Sequence, residues 1–174
     1  MLLIGPTLAS GIGQHAKKYT QVFTPRAEYY QIGTTLPEDD HGLIFILPIP
    51  QHMKYVEYAK SRIKNLTCMT VCETEPVSPA YGMIEKYKPM YVPSNFAKNI
   101  LEKQFPDMQC NILRHYVPIP KNIGQPSQTK PYVFYTIGNI LDPRKNIGGL
   151  LKAFEQCNFD NAKLAARAID LYKM

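Results

Sequence analysis

Continuous apolar runs and helix-spaced apolar positions alternate along most of this chain. Runs rich in β-branched or aromatic residues and closed by glycine or proline predict buried strands. Apolar positions three and four residues apart predict helices with one apolar face. Strands are predicted at Met1–Ile4, within 21–33, and at Leu43–Leu47, Leu66–Cys72, Pro89–Pro93, Cys110–Val117 and Tyr132–Ile137; helices are predicted at Gln14–Tyr19, Gln51–Lys64 and Asn95–Phe105, from Asn146 onward, and over Lys163–Tyr172.

The alternation of strands and helices predicts an α/β protein with a Rossmann-like parallel sheet and helices on both faces. Five or six of the strands fall in residues 1–120, which predicts a first domain. Residues 121–131 contain Gly, Pro, Ser and Gln and predict a linker. Residues 132–174 restart with a strand and a helix, which predicts the beginning of a second domain.

Two polar residues stand where helices are predicted to begin. Ser94 is expected to cap the helix 95–105, with its apolar side chains, Phe96 among them, directed inward. Asn146 is expected to cap a helix on which Ile147, Leu150, Leu151 and Phe154 share one face.

The charge balance favours an anionic ligand. The chain has 174 residues, a net charge of +6 and a pI near 9.1. Its basic residues are spread out in runs no longer than a pair, so a solvated surface is favoured over a nucleic-acid groove. A sugar nucleotide remains compatible with this charge, as does peripheral contact with an acidic membrane surface.

Cysteine usage and the first residues bear on the compartment. The four cysteines, Cys68, Cys72, Cys110 and Cys157, form no C-x-x-C pair, so no metal site is expected and all four are interpreted as reduced, buried side chains. The apolar start MLLIGPTLA lacks a basic leader and is interpreted as a strand, and no run is long enough to span a membrane. A cytoplasmic protein is expected.

A glycine-rich segment follows the first predicted strand. Residues 11–16 (GIGQHA) match the dinucleotide-binding pattern G-x-G-x-x-A. In that pattern the first glycine leaves the strand directly and an acid ends the second strand, whereas here five residues intervene and Glu28 stands before its apolar run. A turn that only permits tight packing is the alternative interpretation.

The stretch from Tyr132 to Phe154 combines a strand, a short cationic loop and a helix start. Arg144 and Lys145 lie in the loop, directly before the predicted helix. Unpaired N–H groups at a helix start and two adjacent cations favour a bound phosphate. A solvated basic loop is the alternative interpretation.

Four segments, in this order, resemble retaining glycosyltransferases of family-4 type with the GT-B fold: Gly11–Gly13, Glu73–Thr74, Pro93–Phe96 and Gly138–Phe154. The resemblance implies hexosyl transfer, with retention, from a nucleotide diphosphate sugar to a glycan or other hydroxyl acceptor, with no further cofactor. Arg144 and Lys145 would hold the donor diphosphate, and Gly11 and Gly13 would let the backbone approach it.

Three further side chains are candidate contacts to the sugar or the acceptor. His15 follows the glycine loop, and Glu73 matches a family segment beside the cleft. His52 follows a central strand, at the sheet edge where ligands bind. A surface role for His15 and a solvated carboxylate at Glu73 remain open, and His41 and His115 are interpreted as structural.

The donor domain of this family carries two glutamates eight positions apart, and no two glutamates of this chain have that spacing. We therefore expect a truncated enzyme, completed by a partner chain or inactive alone. The strand Tyr132–Ile137 is expected to find no partner in its own domain. A non-catalytic binding or assembly module and a small nucleotide-dependent oxidoreductase are the alternatives.

Overall fold

A computed structural model describes residues 1–23, 27–119, 131–138 and 142–168. The chain divides into two compact units, Met1–Ile119 (unit 1) and Pro120–Met174 (unit 2). Most of the predicted linker lies outside the described residues. The strands are β1 (Leu2–Gly5), β2 (Glu28–Gln31), β3 (Asp39–Phe45), β4 (Ile63–Met69), β5 (Met90–Val92), β6 (Cys110–Ile112), β7 (Tyr132–Gly138) and β8 (Ala162–Ala168), and the helices are α1 (Gly11–Lys18), α2 (Pro50–Arg62), α3 (Asn95–Gln104) and α4 (Ile147–Gln156).

Unit 1 is built on one parallel sheet of six strands in the order β2-β1-β3-β4-β5-β6. Every neighbouring pair is parallel, as in the register Leu3 with Leu43 between β1 and β3. The predicted α/β Rossmann-like fold is confirmed.

Helices cover both faces of this sheet. Ile4 and Ile44 belong to the apolar core under α2 and α3, whereas Leu3 and Leu43 belong to a second core under α1. Alternate residues of these strands are buried on opposite faces, which explains why the strands are continuously apolar. The chain after β6 also covers the second face, where Tyr116 packs against the core.

The strand order places a topological switch point between β1 and β3. After β1 the chain continues through α1 to β2 on one side, while β3 lies on the other side of β1. Because α1 and α2 lie on opposite faces, a crevice opens at the carboxyl ends of these two strands. Open α/β sheets bind their ligands in this position.

Several predicted boundaries in unit 1 are wrong, among them the start of β3, which is Asp39 and not Leu43. The strand predicted at Cys110–Val117 ends at Ile112, because β5, the neighbour with which it pairs, has only three residues. Ile63 was predicted within the second helix but is the first residue of β4, which follows α2 without a loop.

Phe96 points outward, contrary to prediction. Ala97, Ile100 and Leu101 form the buried stripe of α3, whereas the side chain of Phe96 is 50% exposed. Phe96 lies in the first turn, where helical side chains lean towards the N-terminus and past the end of the helix. The predicted cap is confirmed, since the Ser94 hydroxyl accepts a hydrogen bond from the Ala97 N–H at 3.2 Å.

Unit 2 is a β-α-β unit in which β7 and β8 pair in parallel around α4. The predicted helix Lys163–Tyr172 is wrong up to Ala168, and residues 169–172 lie outside the described residues. Alanine-rich β8 has helical propensity, but pairing with β7 overrides it. The expectation that the strand from Tyr132 has no partner in its own unit is also wrong.

Asn146 precedes α4 without capping it. Its backbone is left-handed (φ 45°) and its side chain makes no capping hydrogen bond. Asparagine tolerates this conformation better than most residues. Asp142 caps the preceding 3₁₀ turn, Pro143–Lys145, by accepting from the Arg144 N–H at 3.0 Å.

Candidate functional site

A groove lies at the carboxyl edge of the unit 1 sheet, beside the switch point. Its first cavity, of about 440 Å³, is bordered by the first turns of α1, the chain after β4 and one side chain beyond β6. Three separate segments of sequence therefore meet here. The residues that line this cavity are Ser10, Gly11, Ile12, Gln14, His15, Lys18, Val71, Glu73 and His115.

The two glycines at the start of α1 differ in their surroundings. A Cβ at Gly13 would collide with the carbonyl oxygens of Pro6 and Thr7, so Gly13 is required for close packing of the loop on the helix. A Cβ at Gly11 would meet nothing within 4 Å, and Gly11 borders the cavity. The helix is capped by Ser10, whose hydroxyl accepts from the Gly13 N–H at 3.0 Å.

His15 and His115 are in direct contact, although 100 residues separate them. His15 Nε2 and His115 Nδ1 are 2.6 Å apart, so one ring donates a hydrogen bond to the other. The His15 ring also packs edge-on against Tyr19 and Phe45, at centroid distances of 5.2 and 6.0 Å. Burial, followed by the nearby His115 and Lys18, lowers the pKa of His15 to about 4, so His15 is neutral at physiological pH.

A second bond fixes the same segment to α1. The Tyr19 hydroxyl donates to the Arg114 carbonyl oxygen. Together, the two contacts hold the chain after β6 across the second face of the sheet. The interpretation of His115 as structural was incomplete, since His115 also lines the groove. No sequence pattern indicates that His115 lines the groove, because its position depends on where β6 ends.

Glu73 lies between the first cavity and an adjoining one of about 300 Å³. The second cavity extends to the first turn of α3 and includes Ser94 and Phe96 in its lining. Glu73 follows β4 and is exposed. The structure therefore brings Gly11, His15 and Glu73 to one groove.

His52 lies elsewhere. It is buried in the first turn of α2, and its Nδ1 accepts a hydrogen bond from the Leu47 N–H at 2.9 Å. Burial lowers its pKa, which keeps the ring neutral and able to accept. His52 lines neither cavity of the groove, so its contact is to the backbone at the end of β3.

Arg144 and Lys145 belong to unit 2, at the carboxyl end of β7. Arg144 is bound by both oxygens of Asp142, Nε at 3.1 Å and a terminal nitrogen at 2.8 Å. These hydrogen bonds, with the positive charges of Arg144 and Lys145, lower the pKa of Asp142. One of the two predicted cations is therefore neutralised within the loop, a feature that the sequence reasoning missed although Asp142 is two residues away.

Another cavity, of about 580 Å³, lies at the opposite edge of the sheet. It is lined by side chains of both signs, including the ion pair of Arg62 with Glu38 at 3.0 Å. Strand amino ends are not where parallel sheets bind ligands, so no function is assigned to it.

The cysteines divide into two groups. Cys68, Cys72 and Cys110 are buried, as predicted, whereas Cys157 is exposed, contrary to prediction; all four are free thiols. Burial raises the pKa of Cys68 to about 12 and that of Cys110 to about 11, so both remain protonated. Within the described residues, no three His, Cys, Asp or Glu side chains are placed to hold a metal ion, and no helix is long and apolar enough to cross a membrane.

No protein-family model matches the chain, and a search of the curated proteins finds no match. The likeness to GT-B glycosyltransferases therefore rests on the sequence motifs, and the function is inferred from geometry and charge.

Proposed function

We propose that this chain takes part in hexosyl transfer from a nucleotide diphosphate sugar to a hydroxyl acceptor. In this proposal the groove of unit 1 receives the acceptor, and the loop before α4 in unit 2 holds the donor diphosphate. The observation that carries the proposal is the start of α4, which combines two cationic side chains with a first turn that no side chain caps.

The backbone at this helix start suits a phosphate. The first N–H groups of a helix have no partner within the helix, and the helix dipole adds partial positive charge there. A Cβ at Gly148 would meet nothing within 4 Å, so an anion has room beside Gly148, whereas the side chain of Asn146 lies over Gly149. The side chains of Arg144 and Lys145 are both exposed beside it.

Asp142 gives the two cations different roles. Because its carboxylate holds Arg144 in a bidentate pair, a donor diphosphate must compete with it for the guanidinium. Lys145 is then the cation that contributes most to binding. During transfer, the bond from the sugar to the diphosphate breaks with its electrons on the diphosphate, and the ammonium group of Lys145 bound to the diphosphate would stabilise that growing charge.

The oxidoreductase alternative is less well supported. Its fingerprint needs an acid at the carboxyl end of the second strand, to bind the ribose. Glu28 begins β2 at the opposite end, and the strand finishes at Gln31. The loop from β1 to α1 also has five residues, Pro6–Ser10, where the fingerprint has none.

A binding or assembly module remains the second candidate function. The pairing of β7 with β8 removes the original reason for it, but another observation favours it. Val133, Tyr135 and Ile137 share one face of β7 and are 59%, 73% and 55% exposed. Parallel sheets are normally covered on both faces, so this apolar surface suits a protein contact.

Calorimetric titration of the full chain with uridine, guanosine and adenosine diphosphates tests the proposal. We expect one of them to bind, and Lys145→Ala to weaken that binding by about tenfold to a hundredfold, as for a lost hydrogen bond to a charged group. Lys152→Ala is the matched control, because Lys152 is exposed on the same helix. Equal affinities for the wild type and Lys145→Ala would refute the donor-site assignment.

A further inference from the structure

One segment of unit 1 lies on the sheet without joining it. At the end of β6, the N–H of Leu113 still donates a hydrogen bond to the Val92 carbonyl oxygen, at 2.9 Å. Residues 114–119 follow and are called the strap from this point on. In the part of the chain that the structure describes, no backbone-to-backbone hydrogen bond attaches the strap to the sheet or to α1. Side chains therefore hold the strap in place.

The contacts that hold the strap are few and lie close together. The ring of His115 is bonded to that of His15, with 2.6 Å between the two nitrogens. The Tyr19 hydroxyl donates to the Arg114 carbonyl oxygen, and the half-buried ring of Tyr116 packs against the second core. A segment with few buried contacts opens at a lower free energy than the core beneath it.

The bond between the two rings limits how many protons they can carry. One of the facing nitrogens donates and the other accepts, so the closed strap does not permit both rings to be protonated at once. Burial, followed by His115 and Lys18, accordingly lowers the pKa of His15 from 6.5 to about 4. Release of the strap separates the rings and lets this pKa rise back towards 6.5. Acid therefore favours the released strap over the closed one.

The charged groups around the pair do not cancel this effect. Lys18 on α1 repels a protonated His15, and Arg114 adds positive charge on the strap itself. Glu73, after β4, lines the same cavity and would attract a protonated ring, but the pKa of His15 is low with all of these groups present. Tyr19 stays uncharged because burial raises its pKa, and β3 contributes only a phenylalanine ring.

We propose that the strap is a pH-sensitive wall of the groove, closed near neutral pH and released from α1 in mild acid. His115 lines both cavities of the groove, so release of the strap opens the groove on that side. At neutral pH the burial of Tyr116 and the bond from Tyr19 keep the strap closed. The device does not depend on which ligand the groove binds, so it stands apart from the proposed hexosyl transfer.

Proteolysis of the native full chain by papain, at pH 7.5 and at pH 5, measures the release. At low protease concentration, the rate of cleavage within residues 114–119, divided by the rate for a free peptide of residues 112–119, reports the released fraction. The shift at His15 alone would raise this fraction about thirtyfold at pH 5. Solvent screening of the half-exposed ring reduces the expected rise to about fivefold to tenfold.

Two variants connect the rise to the histidine pair. His15→Gln and His115→Gln should each abolish it, because a glutamine oxygen accepts from a protonated imidazole and the pair then tolerates a charge. His41→Gln is the matched control and should keep the rise, since His41 is exposed in β3 and lines neither cavity. Because His115 is exposed, its replacement leaves the core of unit 1 intact, and an unchanged circular dichroism spectrum verifies that.

Three results would overturn this inference. The first is a released fraction in the wild type that is equal at the two pH values. The second is a rise of the same size in the wild type and in both glutamine variants. The third is cleavage that increases in the strands of unit 1 as much as in the strap, which would show that acid unfolds the whole unit.

Discussion

The contact between His15 and His115 predicts a loss of stability of unit 1 in mild acid. A hydrogen bond between two imidazole rings uses one donor and one acceptor, so a second proton on the pair removes it. The charged groups around the pair are Lys18 on α1 and Glu73 after β4. We therefore expect unit 1 to be less stable at pH 5 than at pH 7.5.

The direction in which the free energy of unfolding changes with pH follows from the direction of the pKa shift of His15. The pKa of His15 falls from 6.5 to about 4 on folding, so the unfolded chain binds the proton more tightly. Stability from His15 is therefore complete above pH 6.5 and is lost as the pH falls towards 4. A shift of this size converts to about 3 kcal/mol, and because the ring is only half buried, solvent screening reduces that to about 1 to 1.5 kcal/mol.

Urea unfolding at pH 7.5 and pH 5, with and without His15→Gln, isolates this contribution. Glutamine cannot titrate, so the variant should lose about 1 kcal/mol less than the wild type over this range. Carboxylates such as Asp39, whose pKa is also lowered, titrate alike in both proteins and cancel in the difference. His41→Gln is the control, because His41 is exposed in β3, away from the groove. Parallel pH dependence of the wild type and His15→Gln would show that His15 does not contribute to the loss of stability in acid.

Three further predictions concern single positions. Gly13→Ala should lower the free energy of unfolding by about 1 to 3 kcal/mol through overpacking, whereas Gly11→Ala should change it by less than about 0.5 kcal/mol, and equal urea midpoints would contradict this. His52→Ala should cost about 1 to 3 kcal/mol, because a backbone donor loses its acceptor, and an unchanged urea midpoint would argue against that. Asp142→Asn keeps the cap oxygen but releases Arg144, so diphosphate affinity measured by calorimetry should rise about threefold to tenfold; a fall in affinity would contradict the proposed donor site.

The sheet of unit 1 was predictable because its signals are local. Leu43–Leu47 is apolar throughout and closed by proline, and such a run is buried wherever it lies in a parallel sheet. The capping hydroxyl of Ser94 is equally local. These features need only neighbouring residues, so the strands and helices of residues 1–105 were found in order.

The groove depended on long-range geometry and was predicted only in part. Sheet topology brings Gly11, His15 and Glu73 together, and their positions after strands indicated the correct edge. The contact of His15 with His115 follows from the early end of β6, which a three-residue neighbouring strand determines. The outward direction of Phe96 depends on which of two adjacent helix positions the core selects, and apolar spacing alone does not settle that.

Unit 2 shows why folding and donor binding should be considered together. Phe134 packs with Phe154 and Phe159 at centroid distances of 6.0 and 6.1 Å, so α4 lies on this face of the β7–β8 pair, although Phe134 stays 52% exposed. On the opposite face of β7, the exposed apolar side chains lack the burial that would stabilise each by about 1.5 to 3 kcal/mol. A two-stranded sheet with one partly covered face has little stability of its own.

A diphosphate at the start of α4 would therefore stabilise the unit that binds it, and its measured affinity would include the free energy of ordering that unit. Lys145→Ala would then both weaken diphosphate binding and lower the ligand-dependent stability of unit 2. If the loop is only a solvated basic loop, Lys145→Ala would change neither quantity.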